Sequence, residues 1–346
     1  MKFYRDFLLP TGLLAGTIIG AGVFALPYVF VRGGLAAGFG YLALAAGVYS
    51  VVHLLYADVI VSTPGEHRFV GYLARYLGKW SEPLAIAISI VEMVFVMTIY
   101  LILSASFIHL IIPAAPPLVA IAVFWAAASF PIFASLRRIS LFEFLVSLGM
   151  VAIMGALFFF GVGEFSRAGV PVFTGELADI LLPFGPILFA LSGRVAIPST
   201  VAYFKLPGVG HLHRRIPPVI IAGTVAPAVL YALFVIGVIG LSPLVTPDAL
   251  SGLAGLHPAI LATVGILGLL ALWSSYFVVG IDVRAILHFD LKFAPLVTAA
   301  FVLGAPLALY LLGFQSFISL VSLVGGIFLG LEGLLVISMW LAACIR

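Results

Sequence analysis

The residues of this chain best placed to do chemistry are set to coordinate a ligand rather than to form a covalent bond. In Gly16-Thr17-Ile18-Ile19-Gly20-Ala21-Gly22-Val23-Phe24-Ala25-Leu26-Pro27, three glycines and a proline interrupt an apolar run of membrane length. A second run, Leu182-Pro183-Phe184-Gly185-Pro186-Ile187-Leu188-Phe189-Ala190-Leu191-Ser192-Gly193-Arg194-Val195-Ala196-Ile197-Pro198, carries two prolines, then Ser-Gly-Arg, then another proline. A helix broken inside lipid is tolerated only where its freed backbone groups are buried in protein or line a cavity, so paired breaks point to a binding site. Four ionisable residues lie within apolar stretches: Arg194, Glu92, Glu332 and His53. Arg194, Glu92 and Glu332 sit about 13–17 Å from the nearer end of their stretches, at 1.5 Å per helical residue, and His53 lies at similar depth. Charges this costly are expected to pair, so Arg194 should contact Glu92 or Glu332 as an inner gate, a proton relay or a structural brace.

These residues need long apolar elements to carry them. The chain of 346 residues is 64% hydrophobic and 8% charged, far below the charged share of about 25% in soluble domains. With a mean hydropathy of +1.31, it reads as an all-α polytopic membrane protein. Ten spans are expected, at roughly 8–31, 35–61, 83–111, 117–135, 140–162, 180–203, 216–241, 258–281, 294–313 and 316–343. With the N-terminus in the cytoplasm, 13 of the 16 Lys and Arg fall inside, which leaves Arg32 and Arg167 outside and Arg194 within a span. The inside set includes Lys2, Arg5, Arg68, Arg137, Arg138, Arg215 and Arg346. This bias predicts a multi-pass protein of the cytoplasmic membrane with both termini inside. The net charge of +3 thus reports orientation; there is no basic stripe with interleaved aromatics to suggest nucleic acid. The apolar start runs past Val31 without a small-residue cleavage site, so it is read as a retained first span. A single cysteine, Cys344, excludes an internal disulfide framework.

Five is odd, so a second set of five spans enters the membrane from the opposite side. Residues 1–162 and 180–346 therefore read as two inverted five-helix repeats joined by an extracellular connection at 163–179, with helices 1 and 6 discontinuous at corresponding places. The spacings Gly16-x-x-x-Gly20 and Gly326-x-x-x-Gly330 read as helix-packing features. Asp58, Glu143 and Asp282 fall near the cytoplasmic interface and are expected to be solvated or paired with loop arginines.

The glycine segment 16–22 followed by Ala25-Leu26-Pro27 resembles the first-helix signature of the amino acid-polyamine-organocation superfamily, closest to the aromatic and hydroxy amino acid permeases and the amino acid/auxin permeases. Tyr56-Ala57-Asp58, Thr63-Pro64-Gly65, Gly71-Tyr72, Phe189-Ala190-Leu191-Ser192-Gly193 and Ile197-Pro198 are similar as well. The resemblance covers essentially the whole chain. It implies a LeuT-like fold and a secondary active transporter that carries an amino acid by alternating access, coupled to Na+ or H+, or an uncoupled exchanger.

Carried over residue by residue, the resemblance places the N–H groups of Ala21 and Gly22 at the substrate carboxylate. The carbonyls of Ile18, Phe189 and Ala190, with the Ser192 hydroxyl, would face the ammonium; Gly20 and Gly22 would let the substrate approach the backbone, and Gly193 belongs to the same substrate-binding set. A coupling Na+ would be held by the carbonyls of Gly16 and Ile19 and the hydroxyls of Ser274 and Ser275, a neutral oxygen set too weak in charge for Ca2+ or Mg2+. Arg194 departs from the small or apolar residue usual at its place, and could itself replace a coupling cation. Met93, Val96, Met97, Tyr100, Phe189 and Trp273 are candidates for the side-chain pocket, whose apolar width would favour a large neutral or aromatic amino acid. Membrane-embedded enzymes use paired acidic motifs for Mg2+ or His-Glu-x-x-His, and neither spacing occurs. A channel would show a repeated pore loop or polar rings, and none is visible.

Overall fold

Interrupted helices organise the computed structural model, which describes residues 3–65, 67–133, 139–205, 212–253 and 255–345. Lys2, Arg137, Arg138, Arg346 and the side chain of Glu143 lie outside the described residues. Helix α1 (Leu9–Ile18) stops where Ile19 and Gly20 become extended, at φ/ψ of −68/98° and −145/−164°. A 3-10 stretch over Ala21–Ala25 leads into α2 (Leu26–Gly33), and the chain bends by 51° across the break. Pro27 falls in the first turn of α2, where its missing N–H would have had no helical partner.

Unbroken helices follow: α3 (Leu35–Ser62), α4 (Phe69–Leu77), α5 (Ser81–Ile111), α6 (Pro117–Ser129) and α7 (Ile139–Gly161). The short α8 (Leu177–Leu181) then precedes the second interruption, formed by α9 (Phe184–Ala190) and α10 (Ile197–Tyr203). The chain ends with α11 (Leu212–Leu241), α12 (Pro258–Ala285), α13 (Pro295–Leu311), α14 (Phe317–Leu323) and α15 (Gly330–Ile345). A π-helical stretch, Val324–Leu329, joins the last two.

Among the described residues, six helical stretches are long and apolar enough to cross a membrane, and the bent pair makes a seventh. Shorter apolar helices at Pro117–Phe133, Leu145–Gly161 and Pro295–Leu311 stand where spans four, five and nine are expected. Each of these stretches has 17 residues and reaches about 25 Å against a hydrocarbon core of about 30 Å. The order of apolar elements follows the sequence reading, and the count of ten requires these three to cross as well. Leu44, Val48, Val51, Phe159 and Phe160 are exposed on the outer surface, an arrangement suited to lipid.

The polar ends of the bundle pair by side. Arg32 meets Asp179 at 3.3 Å and Arg167 meets Glu164 at 2.7 Å, all residues assigned to the outer face. On the other face, Asp6 pairs with Arg5 and Arg215, and Arg68 meets Asp290 at 3.2 Å. Among the described residues, none of these end-face pairs joins one assigned face to the other.

Close helix contacts rest on glycines other than the expected ones. Gly330 has open space where a Cβ would stand, and Gly326 touches only Gly185 at 3.8 Å. The tight approach is at Gly325, where a Cβ would strike the Gly185 carbonyl and come within 2.8 Å of the Phe189 nitrogen. Gly185 is reciprocally tight, 2.8 Å from Ser322 Cα. The packing reading of Gly326-x-x-x-Gly330 is therefore corrected by one residue, because the π-helical stretch rotates Gly325 into the interface. Gly185→Ala or Gly325→Ala should destabilise the protein by about 1–3 kcal/mol through overpacking. Gly330→Ala should be neutral, and melting curves of the purified variants check both.

Candidate binding site between the two helix breaks

Both interruptions free backbone groups at one level and bring them together. In the second, α9 ends at Ala190, Leu191 and Gly193 leave helical geometry, and a 3-10 turn at Arg194–Ala196 restarts the chain into α10. The breaks touch. A Cβ on Gly22 would lie 2.6 Å from Ala190 Cα and 2.9 Å from the Phe189 ring. One on Gly193 would lie 2.6 Å from the Ile18 side chain. Glycine at 22 and 193 is thus required for the backbones to approach, and the segment from Ala21 to Ala25 is wholly buried.

One side chain ties the two breaks. Tyr231 of α11 donates its hydroxyl to the Ile18 carbonyl at 2.7 Å and lies 3.1 Å from the Ala190 carbonyl. Two of the three carbonyls assigned to the ammonium already share this phenol. Each carbonyl oxygen has a second lone pair, so the capacity to accept a ligand N–H persists. The third, Phe189, accepts from the Ser192 N–H at 3.4 Å. Ala21 and Gly22 begin the 3-10 stretch, where N–H groups have no acceptor within their own helix and suit an anion. Tyr49 of α3 donates to the Leu188 carbonyl at 2.8 Å, which secures the end of α9.

Above the first break, Phe24 makes edge contacts with Phe107 of α5 and Phe234 of α11, at centroid distances of 5.0 and 5.7 Å. Tyr100 and Val96 are buried on α5. Met93 is half-buried on the same helix. Met97 turns toward Gly280 of α12, at 3.4 Å from its Cβ position. Trp273 donates to the Ala127 carbonyl of α6 at 3.0 Å. The latter two pocket candidates are thus directed at neighbouring helices.

Of the proposed sodium ligands, Ser274 donates to the Ala271 carbonyl within its own helix at 3.0 Å, and Gly16 looks onto the Ser147 hydroxyl of α7, 3.6 Å from its Cβ position.

The intramembrane charges do converge. Arg194 binds Glu332 of α15 through both ends of the guanidinium, Nε to Oε2 at 2.6 Å and Nη2 to Oε1 at 2.5 Å. Its Cζ also stacks 4.1 Å over the Phe69 ring of α4. Glu92 of α5 is buried as well, and its Oε2 has no hydrogen-bond partner among the described residues. His53 is fully buried, with Nδ1 3.0 Å from the Thr224 hydroxyl. Asp58 accepts from Trp340 at 2.8 Å, while Asp282 lies in the fields of Arg68 and Arg194.

A family model described as "Transmembrane amino acid transporter protein" matches residues 11–241, well over half of the chain and both breaks. The chain belongs to that family. No curated protein matches it in sequence. Among solved structures, Mhp1, a nucleobase-cation-symport-1 family transporter with bromovinylhydantoin bound, is similar at 15% identity and a TM-score of 0.65, over 94% of this chain and 77% of its own. MhsT in complex with L-phenylalanine is similar at 16% identity and a TM-score of 0.65, over 95% and 87%. A manganese transporter from Eremococcus coleocola is similar at 10% identity and a TM-score of 0.59, over 96% and 77%. At these identities the likeness shows the fold, which is LeuT-like and of the expected superfamily type. Transport across a membrane follows from the family, which is one of transporters and not of enzymes.

Sequence reasoning about this transporter missed Tyr231, Tyr49, Phe24 and Phe69. Tyr231 stands as an isolated phenol in an apolar run, and nothing local ties it to breaks 213 and 41 residues away. Phe69 was legible, since Phe69, Tyr72 and Leu73 fall on one face of a short helix and are all buried. Removing the phenol leaves buried carbonyls with one donor fewer. Tyr231→Phe should therefore lower stability by about 1–3 kcal/mol. Tyr203→Phe, whose exposed hydroxyl donates to the Arg5 carbonyl, should have little effect on the same melting assay.

Proposed function

We propose that this transporter carries an amino acid, large and neutral or aromatic, across the cytoplasmic membrane by alternating access driven by an ion gradient. The observation that carries the reading is the contact of two unwound stretches inside the bundle. A zwitterion at mid-membrane needs both charges solvated, where an unpaired charge costs several kcal/mol. In this reading the N–H groups of Ala21 and Gly22 meet the carboxylate, and the carbonyls of Ile18, Phe189 and Ala190 with the Ser192 hydroxyl meet the ammonium. Phe24, Val96, Tyr100 and Phe189 supply an apolar surround for the substrate side chain. The L-phenylalanine bound to MhsT, a protein of similar fold, agrees with that size class.

Residues 1–162 and 180–346 act as the two inverted halves, with both termini cytoplasmic. The buried contacts of Gly22 with Ala190 and of Gly193 with Ile18 must part to admit substrate. Each half-cycle would then loosen one side of the pair while the other stays sealed.

For sodium, Gly16, Ile19, Ser274 and Ser275 stay the candidate set; the Ser274 hydroxyl spends its proton on the Ala271 carbonyl, which leaves its lone pairs for a cation. Ser274→Ala with Ser275→Ala should abolish any sodium stimulation of uptake; unchanged sodium dependence in that variant would end the sodium assignment.

Reconstitution of the purified protein in proteoliposomes tests the main reading. Saturable uptake of large neutral amino acids, accelerated by substrate on the opposite side, is the expected result. Ohmic conductance without counterflow would refute it. A thermal-shift screen over the amino acids identifies the substrate, because a ligand at 100 times its Kd stabilises the binding state by about 2.7 kcal/mol.

A further inference from the structure

A cleft lined almost wholly by carbon is cut into the outer wall of the bundle, between α3, α9 and the start of α15. Its volume is about 210 Å3. It runs from Tyr41 and Phe184, whose rings meet edge-on at 6.0 Å, toward Val52 and Ile337. From Tyr41 to Val52 is about 17 Å along α3, at 1.5 Å per residue. Leu44, Val48 and Leu334 stand on its wall with 60%, 47% and 61% of their surface exposed, so the cleft opens sideways onto the face that meets lipid.

Two glycines make the room. Gly330 and Gly333 of α15 both line the cleft, and nothing among the described residues lies within 4 Å of where a Cβ on either would stand. Glycine inside a helix costs about 1 kcal/mol relative to alanine. At Gly185 and Gly325 close backbone contact offsets that cost, whereas at Gly330 and Gly333 no part of the chain takes up the space. Water is a poor filler, since it needs two to four polar partners. The polar side-chain atoms on the wall are the phenols of Tyr41 and Tyr49, and the Tyr49 hydroxyl is spent on the Leu188 carbonyl at 2.8 Å.

We propose that this cleft binds one acyl chain of a membrane phospholipid, which packs on Gly330 and Gly333 and braces the half-helix α9 against α3. Two membrane-spanning helices, α3 and α15, form its sides, so hydrocarbon is the material at its mouth. Lipid tails are as apolar as the wall, and escape from water adds nothing to binding here. The gain is the dispersion contact that an unfilled cleft forfeits, which separates this chain from those merely lying on the outer surface. No acidic or basic side chain lines the cleft, so the chain is recognised and the headgroup is not. The site bears on function through Ile187 and Leu188, which line it two and three residues before α9 ends at the second break. The inference goes beyond the transport reading and holds whichever solute is carried.

The test uses the full chain, purified in detergent and given a phosphatidylcholine with a photoactivatable diazirine midway along one acyl chain. At one lipid per protein, crosslinks mapped by peptide mass spectrometry should fall within 44–52 and 330–337 about tenfold more often than at the exposed Phe159 and Phe160. Gly330→Leu with Gly333→Leu fills the cleft with the protein's own side chains and should abolish that preference. Delipidated wild type should melt lower and recover when phosphatidylcholine is added, and the double variant should not respond. Crosslinks spread evenly over the apolar surface would mean annular lipid only and overturn the proposal, even if the double variant fails to fold. A folded double variant that keeps the preference overturns it too, as does displacement of the probe by a sterol but not by unlabelled phosphatidylcholine.

Discussion

A peptide group inside lipid has no water to bond, and that constraint governs this molecule. Regular helix satisfies it internally, and the long helices here do so over most of their length. At Ile19–Gly20 and Leu191–Gly193 the chain gives up that solution twice, so each break must find its partners in the other or in a neighbour. Tyr231 provides the clearest case, since a single phenol serves a carbonyl from each break. The glycines serve the same end by sterics. Where Gly22 meets Ala190, any side chain would push the backbones beyond reach of shared donors. A site made in this way exists only while both breaks are held together, which couples ligand binding to the relative position of the two breaks.

The same lipid constraint explains the clustering of charge. Arg194, Glu332 and Glu92 come from three elements far apart in sequence, and none would be tolerated alone at that depth. The guanidinium suits this place because its flat fork binds both carboxylate oxygens while its face rests on Phe69. Helix α4, which supplies Phe69, thereby belongs to the core of the site although it is too short to span a membrane. Tyr56 links it further, making edge contacts with both Phe69 and Tyr72.

What could be read from the chain divides along the range of the interaction. The broken spans were legible because Gly and Pro act on the local backbone, whatever surrounds them. The Arg194–Glu332 pair was half legible: the cost of a buried charge demands a partner, but Glu92 and Glu332 were equivalent candidates until packing chose. Glycine packing failed by one residue at Gly326, since the π-helical stretch from Val324 to Leu329 shifts the helical phase and no local signal marks it. Hydroxyl roles were the least legible. Ser274 and Ser275 form a suggestive pair in one dimension, yet Ser274 donates to the Ala271 carbonyl of the preceding turn, as serines in helices commonly do. The Tyr231 bridge is a tertiary contact from a third helix and leaves no trace in local pattern.

The buried pair is poor evidence for stability as such. Replacing a buried ion pair by apolar residues of similar volume is often neutral or stabilising by about 1–4 kcal/mol. A chain that is 64% hydrophobic has no shortage of apolar alternatives, so the presence of Arg194 beside a helix break needs another cause. Its position supplies one. The guanidinium is anchored on the restart of α10 and its partner carboxylate on α15. Apolar packing among these elements would change little when water enters, whereas a charge-assisted contact is strong only while it stays dry. A contact of that kind holds its elements together when sealed from water and lets them part when hydrated, a property that suits a seal inside a transporter.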